Sequence, residues 1–165
     1  MKTLWKPYPH VLLLAGSVIL CFIAAVIGSL VTPAGPGSWF MTELIKPEWQ
    51  PPNYLFGPVW TILYLLMGLA LAWILAEGWQ KKEVWTAALV FLIQLVLNVL
   101  WSWLFFGVHN LAWATGEILV LWVAICATIY LFYRIKPFAA YLLVPYILWV
   151  SFASFLCATI WMLNP

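Results

Sequence analysis

The chain has 165 residues, of which 67% are hydrophobic and 7% are charged, and it contains 13 tryptophans. Soluble globular domains differ strongly from this composition, which therefore predicts an integral membrane protein. The formal net charge of +2 is too small to indicate nucleic-acid binding, so no nucleic acid is expected among the partners.

Five apolar stretches are each long enough to cross about 30 Å of hydrocarbon as an α-helix. In chain order they are residues 11–31, 59–78, 84–106, 111–133 and 138–163. Strands are not expected, because an open sheet edge leaves backbone groups unsatisfied in lipid. The sequence predicts an all-α membrane protein, a single domain that forms a bundle of five transmembrane helices.

Small residues recur at four-residue spacing in the first two spans. The first span has Ser17, Cys21, Ala25 and Ser29, and the second has Gly68, Ala72 and Ala76. Small side chains let helix backbones approach closely in a membrane. Each stripe is expected to pack either inside the bundle or at the interface of a homodimer.

Basic residues are unevenly divided between the two sides of the predicted bundle. Lys2, Lys6, Lys81, Lys82, Arg134 and Lys136 fall on the side of the N-terminus, whereas only Lys46 falls on the other. Basic residues near span ends favour the cytoplasmic side. We therefore expect a cytoplasmic N-terminus, with the first loop and the C-terminus outside, in the plasma membrane if the cell is bacterial.

The stretch over residues 46–67 is rich in proline and aromatic residues and runs into the second span. Its four prolines, Pro47, Pro51, Pro52 and Pro58, each fix φ and restrict the preceding residue. Such a loop costs less entropy to order than most, and Pro58 suits the first turn of a helix. The stretch is predicted to be a structured lid over a site.

Polar residues on the third span suggest one such site. Gln94 and Asn98 are four residues apart, and Trp101, Ser102 and Phe105 continue the same face. Amides in hydrocarbon need partners. They either hydrogen-bond to neighbouring helices or provide a polar handle in an aromatic ligand pocket.

The remaining ionisable residues indicate no metal centre. His10 and His109 lie at opposite ends of spans, and the three cysteines, Cys21, Cys126 and Cys157, have neither metal-ligand nor disulfide spacing. Glu117 is an intramembrane acid without a buried basic partner in the sequence, and we expect it to be protonated or to reach water. One such acid argues against active transport.

The tryptophans fall into two groups. Trp5, Trp39, Trp79, Trp85, Trp113 and Trp161 lie near span ends, where aromatic belts form. Trp101, Trp122 and Trp149 lie deeper, and Trp60 begins the second span under the predicted lid. Large aromatic faces in this position suit a flat, apolar ligand.

Three blocks of sequence match the motifs of a known family. They are Lys46-Pro47-x-Trp49-x-Pro51-Pro52 with Phe56-Gly57-Pro58-Val59-Trp60 and on to Tyr64 and Met67, then Asn98-x-x-Trp101-Ser102-x-x-Phe105-Phe106, and Pro145-Tyr146-x-x-Trp149-x-x-Phe152-Ala153 with the terminal Trp161-x-x-Asn164. In these blocks, in length and in span count, the chain resembles the TspO/MBR family of translocator and tryptophan-rich sensory proteins. The resemblance implies a five-helix bundle, commonly dimeric, with a ligand pocket open towards the first loop.

The resemblance also implies ligands and residue roles. Family ligands include protoporphyrin IX and haem, sterols in animal members, and synthetic benzodiazepine-type compounds; no cofactor is implied to be required. The implied ligand-binding residues are Trp49 and Phe56 at the lid, Trp60, Tyr64, Asn98, Trp101 and Trp149 in the wall, and Tyr146 and Ala153 nearby. No catalytic residue is assigned, although Trp60 and Trp149 match tryptophans implicated in light-dependent porphyrin degradation by some members.

The sequence departs from the family pattern at two places in the fifth span. Leu156-Cys157 stands where members often have Leu-Asn, which removes a polar contact, and the segment from Thr159 to Met162 lacks the basic residue of the animal sterol motif. Sterol recognition is therefore not expected. We predict a membrane-embedded porphyrin-binding sensor or regulator, with a light-dependent porphyrin-degrading enzyme and a facilitative porphyrin or lipid carrier as alternatives.

Overall fold

The fold is known from a computed structural model that describes residues 8–32 and 35–165. Its helices are α1 (Tyr8–Ser29), α2 (Trp39–Thr42), α3 (Phe56–Ala76), α4 (Lys82–Ser102), α5 (Leu111–Ile135), α6 (Pro137–Tyr141) and α7 (Val144–Leu163). A 3₁₀ turn over Asn53–Leu55 precedes α3, and a π-helical turn over Trp103–Gly107 follows α4. The described ranges contain no strand.

Five segments of the described chain are long and apolar enough to span a membrane. They are His10–Ser29, Asn53–Ala76, Lys82–Gly107, Leu111–Ile135 and Pro137–Leu163. Within the bundle, α1 packs against α3 and α4, and α5 packs against α4 and α7. The predicted all-α bundle of five spans is confirmed, while Trp5 of the predicted aromatic belt lies outside the described residues.

The small residues of the first two spans bring α1 and α3 into close contact. A Cβ atom added to Gly68 would lie 2.7 Å from the Cα of Val18, so only glycine fits at this crossing. Ser17, Cys21 and Ala72 are buried around it. These parts of both stripes therefore pack inside the bundle.

The third span ends in a wider turn than the sequence predicts. After α4, the Val108 N–H donates to the carbonyl oxygen of Trp103 at 2.8 Å, which is the spacing of a π-helix. The turn buries Phe105 and places Phe106 5.6 Å from the ring of Phe40 in the first loop. Single π turns frequently occur at functional sites, and this one faces the cavity described below.

The fifth span is broken near its start, as Pro145 leads one to expect. Proline lacks the N–H that would bond to the preceding turn, and its ring crowds that turn. The helix accordingly stops at α6 and resumes as α7, with Pro145 in the first turn and the break at Leu142 and Leu143. Tyr146 directly after it is fully buried.

The first loop is ordered by short turns, as predicted. The Gln50 N–H donates to the carbonyl oxygen of Pro47 at 3.0 Å, and Pro58 lies in the first turn of α3. The Trp49 ring stacks on Phe155 of α7 with 5.2 Å between ring centroids. Residues 35–55, here called the lid, thus cross the end of the bundle from α1 to α3.

At the opposite end of the bundle, an ion pair joins α3 to the junction of α5 and α6. The Lys136 ammonium lies 2.6 Å from a carboxylate oxygen of Glu77 and 5.5 Å from the ring centre of Trp73. The hydrogen bond from Lys136, together with the charge of that residue, lowers the pKa of Glu77 below its ordinary value. The pair therefore joins α3 to α5 and α6 at the end of the bundle opposite the lid.

Candidate ligand-binding site

A cavity of about 630 Å³ lies between α1, α3, α4 and α7, beneath the lid. Its volume falls in the range of roughly 300–1,000 Å³ that is typical of small-molecule sites. The lining is predominantly apolar, and none of the described lining residues is acidic, basic or histidine. Such a cavity suits a hydrophobic ligand.

Most of the sequence-predicted site residues meet in this cavity. Those that line it are Phe56, Trp60, Tyr64, Asn98, Trp101, Trp149 and Ala153. Trp49 is 44% exposed and packs on the outer part of α7, whereas Tyr146 is fully buried behind Asn98. Neither of these two lines the cavity, so any contact they make with a ligand remains a prediction.

Aromatic rings around the cavity pack against one another. Phe56 meets Trp149 edge to face at 5.7 Å between ring centroids, and Trp101 stacks on Phe105 at 5.1 Å. Offset stacking and edge-to-face contacts of this kind fix ring orientation. The cavity therefore presents large, preset aromatic surfaces to whatever enters it.

A hydrogen-bond network forms the polar side of the cavity. Tyr64 donates its hydroxyl proton to the side-chain oxygen of Asn98 at 2.5 Å, and the Asn98 amide donates to the Tyr146 hydroxyl at 3.0 Å. Tyr146 in turn donates to the side-chain oxygen of Gln94 at 2.9 Å. The interpretation that Gln94 and Asn98 hydrogen-bond to neighbouring helices is confirmed. Asn98 also lines the cavity with Tyr64, and its role as a polar handle for a ligand stays a prediction.

Sequence motifs did not single out several lining residues. They include Phe22 and Gly28 in α1, Thr32 just after it, Ser38, Phe40 and Met41 in the lid, and Ile160 on α7. Leu156 and Cys157, where the sequence departs from the family pattern, also line the cavity. The only signal from α1 was its small-residue stripe, of which Ala25 and Ser29 border the cavity. Cys157, the departure noted in the fifth span, lies 3.4 Å from the hydroxyl of Thr115.

Three residues considered in the sequence lie elsewhere. The indole N–H of Trp122 donates to the Ser151 hydroxyl at 2.8 Å on the outer surface, so Trp122 is not part of the aromatic wall. Glu117 does not line the cavity, and its two carboxyl oxygens are buried without a hydrogen-bond partner among the described residues. The ring of His109 stacks on Trp39 at 3.9 Å.

The fold and the cavity together define an integral, multi-pass membrane protein with an internal apolar pocket. The profile of the TspO/MBR family matches residues 17–162, and the chain belongs to that family. The resemblance found in the three sequence blocks is therefore confirmed.

Curated relatives extend over most of the chain. The "Tryptophan-rich protein TspO" of Chlorobaculum tepidum is 48% identical over 94% of this chain and 98% of its own length. The "Tryptophan-rich sensory protein" of Cereibacter sphaeroides is 35% identical over 84% of this chain and 85% of its own. The human "Translocator protein" is 37% identical over 77% of this chain and 76% of its own.

Proposed function

We propose that this protein binds porphyrins and similar flat tetrapyrroles inside the membrane and acts as a sensor or regulator of tetrapyrrole metabolism and stress. The observation that carries the proposal is the uncharged, aromatic cavity of about 630 Å³ under an ordered lid. Protoporphyrin IX and haem are the ligands of choice, and the protein requires no cofactor of its own.

The chemistry of the lining fits a macrocycle better than a charged ligand. The flat faces of a porphyrin can pack against Trp60, Trp101 and Trp149, which all border the cavity. Its carboxylates would be costly to bury without a cation. They therefore remain at the mouth, which the exposed lining residues Gly57 and Thr61 mark on the α3 side.

The lining residues also determine whether the protein could ligate the iron of haem. No histidine is among the described lining residues, but Met41, Tyr64 and Cys157 line the cavity, and Met, Tyr and Cys are side chains that can ligate haem iron. Comparing haem with protoporphyrin IX tests for such a ligand, because similar affinities would mean that the macrocycle is held by its faces alone.

Two further parts of the proposal concern assembly and topology. A homodimer must use helix faces other than the inner parts of the α1 and α3 stripes, because Ser17, Cys21 and Ala72 are buried within one chain. The distribution of basic residues supports a cytoplasmic N-terminus and an external lid.

The relative from Cereibacter sphaeroides is named a sensory protein and the human relative a translocator protein. Facilitated transport of porphyrin or lipid is therefore the alternative function, and flux of porphyrin into liposomes that contain the protein tests it.

A second function, light-dependent degradation of protoporphyrin, is favoured by one observation. Trp60 and Trp149 both line the cavity, where an excited porphyrin would lie against their indole rings. Absorbance loss in light that requires both tryptophans would support this enzyme.

A titration of the detergent-purified protein with protoporphyrin IX in the dark tests the proposal. Quenching of tryptophan fluorescence should saturate with added protoporphyrin IX. The double variant Trp60→Phe/Trp149→Phe should bind at least about tenfold more weakly, because two indole rings that line the cavity are replaced by smaller rings. Trp122→Phe is the matched control, since that indole lies at depth but outside the cavity. Unchanged affinity of the double variant, or an equal loss in the control, would overturn the proposed site.

A further inference from the structure

Asn164, the residue directly after α7, holds the lid through a pair of hydrogen bonds. The Ile45 N–H donates to the side-chain oxygen of Asn164 at 3.0 Å, and the Asn164 amide donates to the Ile45 carbonyl oxygen at 2.9 Å. One side chain thereby pairs with both backbone groups of one lid residue, as a neighbouring strand would. The two residues are 119 positions apart in the chain, so the contact is purely tertiary.

Asn164 is set in place for this contact by its own helix. Its amide nitrogen also donates to the carbonyl oxygen of Ile160 at 2.8 Å, in the last turn of α7. This bond fixes the side chain in the orientation that meets Ile45. The amide group therefore pays little ordering entropy when it pairs with the lid.

The residues on either side of Ile45 contact side chains that line the cavity, and the lid residues among these, such as Phe40, are here called the roof. Leu44 is buried in the cluster that contains Phe105 and Cys157, both of which line the cavity. On the other side, the Lys46 ammonium donates to the carbonyl oxygen of Phe40 at 2.7 Å and lies 4.8 Å from its ring centre. Phe40 is itself a lining residue. Fixing the backbone of Ile45 thus fixes both Leu44 and Phe40.

We infer that Asn164 is the latch of the lid: its pairing with Ile45 sets how often the roof opens and so controls ligand exchange, without touching the ligand. Asn164 does not line the cavity, and it is a positioning residue. The role as a ligand gate rests on the proposed function, whereas the opening of the roof does not.

A latch has a kinetic signature that a ligand contact lacks. Loss of two hydrogen bonds in Asn164→Ala should raise the opening frequency roughly tenfold. Association and dissociation of protoporphyrin IX should then both accelerate by about that factor, with the equilibrium affinity changed less than about threefold, because free and bound forms lose the same bonds. A change in dissociation alone would mean that Asn164 supports the bound ligand directly, which contradicts the latch.

A second readout needs no ligand. Cys157 lines the cavity and is 2% exposed, so alkylation of its thiol by N-methylmaleimide reports entry into the cavity, and the difference in rate between Asn164→Ala and the wild type reports the share that passes through the roof. Mass spectrometry of the peptide that carries Cys157 should show roughly tenfold faster modification in Asn164→Ala. An unchanged rate in folded protein would overturn the inference. If protoporphyrin IX binds neither protein but alkylation accelerates, the proposed function fails and the latch stands.

Thr159→Val is the matched control on the same helix. Its hydroxyl bonds only to the carbonyl oxygen of Phe155 in the same helix, and valine keeps the shape. Exchange and alkylation should stay within about twofold of the wild type. Faster alkylation in this control would show general loosening of α7 and would count against a specific latch.

Asn164→Asp tests the same pairing if the alanine variant does not fold. A protonated acid can donate to the Ile45 carbonyl and accept from its N–H, whereas an ionised one repels that carbonyl. Hydrogen–deuterium exchange of the lid peptide that contains Ile45 reads out this variant, and its rate relative to wild type at the same pH should be high at about pH 7 and fall towards one near pH 3. A ratio that does not change between the two pH values would overturn the inference.

Discussion

The phenol of Tyr64 on α3 donates a hydrogen bond of 2.5 Å to the side-chain oxygen of Asn98 on α4, and both groups are buried at the edge of the cavity. Because Asn98 also donates to Tyr146 on α7, one amide connects three spans. The same amide therefore both stabilises the bundle and gives the cavity its polar side. Changes at this point affect folding as well as binding.

Asn98→Leu should lower the free energy of unfolding by roughly 1–3 kcal/mol, because the hydroxyls of Tyr64 and Tyr146 each lose a buried partner. Tyr146→Phe should cost a similar amount, since it leaves Gln94 without its donor. The double variant should cost less than the sum, because both changes disrupt one network. Unfolding of the detergent-solubilised protein gives all three values, with Tyr130→Phe on the exposed part of α5 as control. Full additivity would contradict a shared network.

Gly68→Ala should destabilise the protein by about 1–3 kcal/mol, since the new methyl group would lie 2.7 Å from the backbone of Val18 and force α1 away from α3. Gly116→Ala is the matched control, because nothing lies within 4 Å of its added methyl group. That variant should be neutral or stabilising by up to about 1 kcal/mol through helix propensity. Equal thermal stability of the two variants would refute the close crossing.

Glu77→Gln should lower stability at neutral pH by less than about 1 kcal/mol, because the pair with Lys136 is partly exposed to solvent. The pKa of Glu77 is lowered in the folded protein, so its contribution is present above the ordinary value of 4.5 and is lost as pH falls through the folded value. Wild type and variant should therefore converge as the pH falls well below 4.5, and also in high salt. Thermal unfolding at several pH values checks this.

Glu48→Gln provides the control for the ion pair, since Glu48 is exposed on the lid and far from Lys136 in the fold. This variant should show no comparable pH-dependent difference from the wild type. A stability gap for Glu77→Gln that persists at low pH would mean that the carboxylate acts through something other than its charge.

Ser151→Ala should cost about 0.5–1 kcal/mol, because the Trp122 indole N–H loses its partner between α5 and α7. Binding of protoporphyrin IX should be unaffected, since neither residue lines the cavity. Unfolding and dark titration of the same preparation test both statements. Weaker binding at unchanged stability would place Trp122 in the ligand site after all.

Much of the fold could be predicted from the sequence because the bilayer imposes strict local requirements. A spanning segment must be apolar over membrane length and must satisfy its own backbone, so the five spans follow from hydropathy and length alone. The break before Pro145 follows from the N–H that proline lacks and from the crowding by its ring, and the order of the lid follows from the fixed φ of its prolines. The motifs around Trp60, Asn98 and Trp149 can likewise be recognised from short stretches of sequence.

Other features needed the tertiary structure. The Gly68 crossing with Val18 and the pairing of Asn164 with Ile45 each depend on a neighbour distant in sequence. The π-helical turn after α4 was not predicted from the sequence either. Sequence reasoning also grouped three deep tryptophans together, although Trp101 and Trp149 line the cavity and Trp122 lies on the outer surface.

The sequence did not show which tryptophans line the cavity because the helices are surrounded by lipid and not by water. In water, an amphipathic stripe shows which face of a helix is buried. In lipid, inner and outer faces are both apolar, so no hydrophobic contrast distinguishes a cavity-lining tryptophan from one that faces the bilayer. The sequence alone determined that five helices cross the membrane and which motifs they carry. Only packing decided which faces of those helices meet around the cavity.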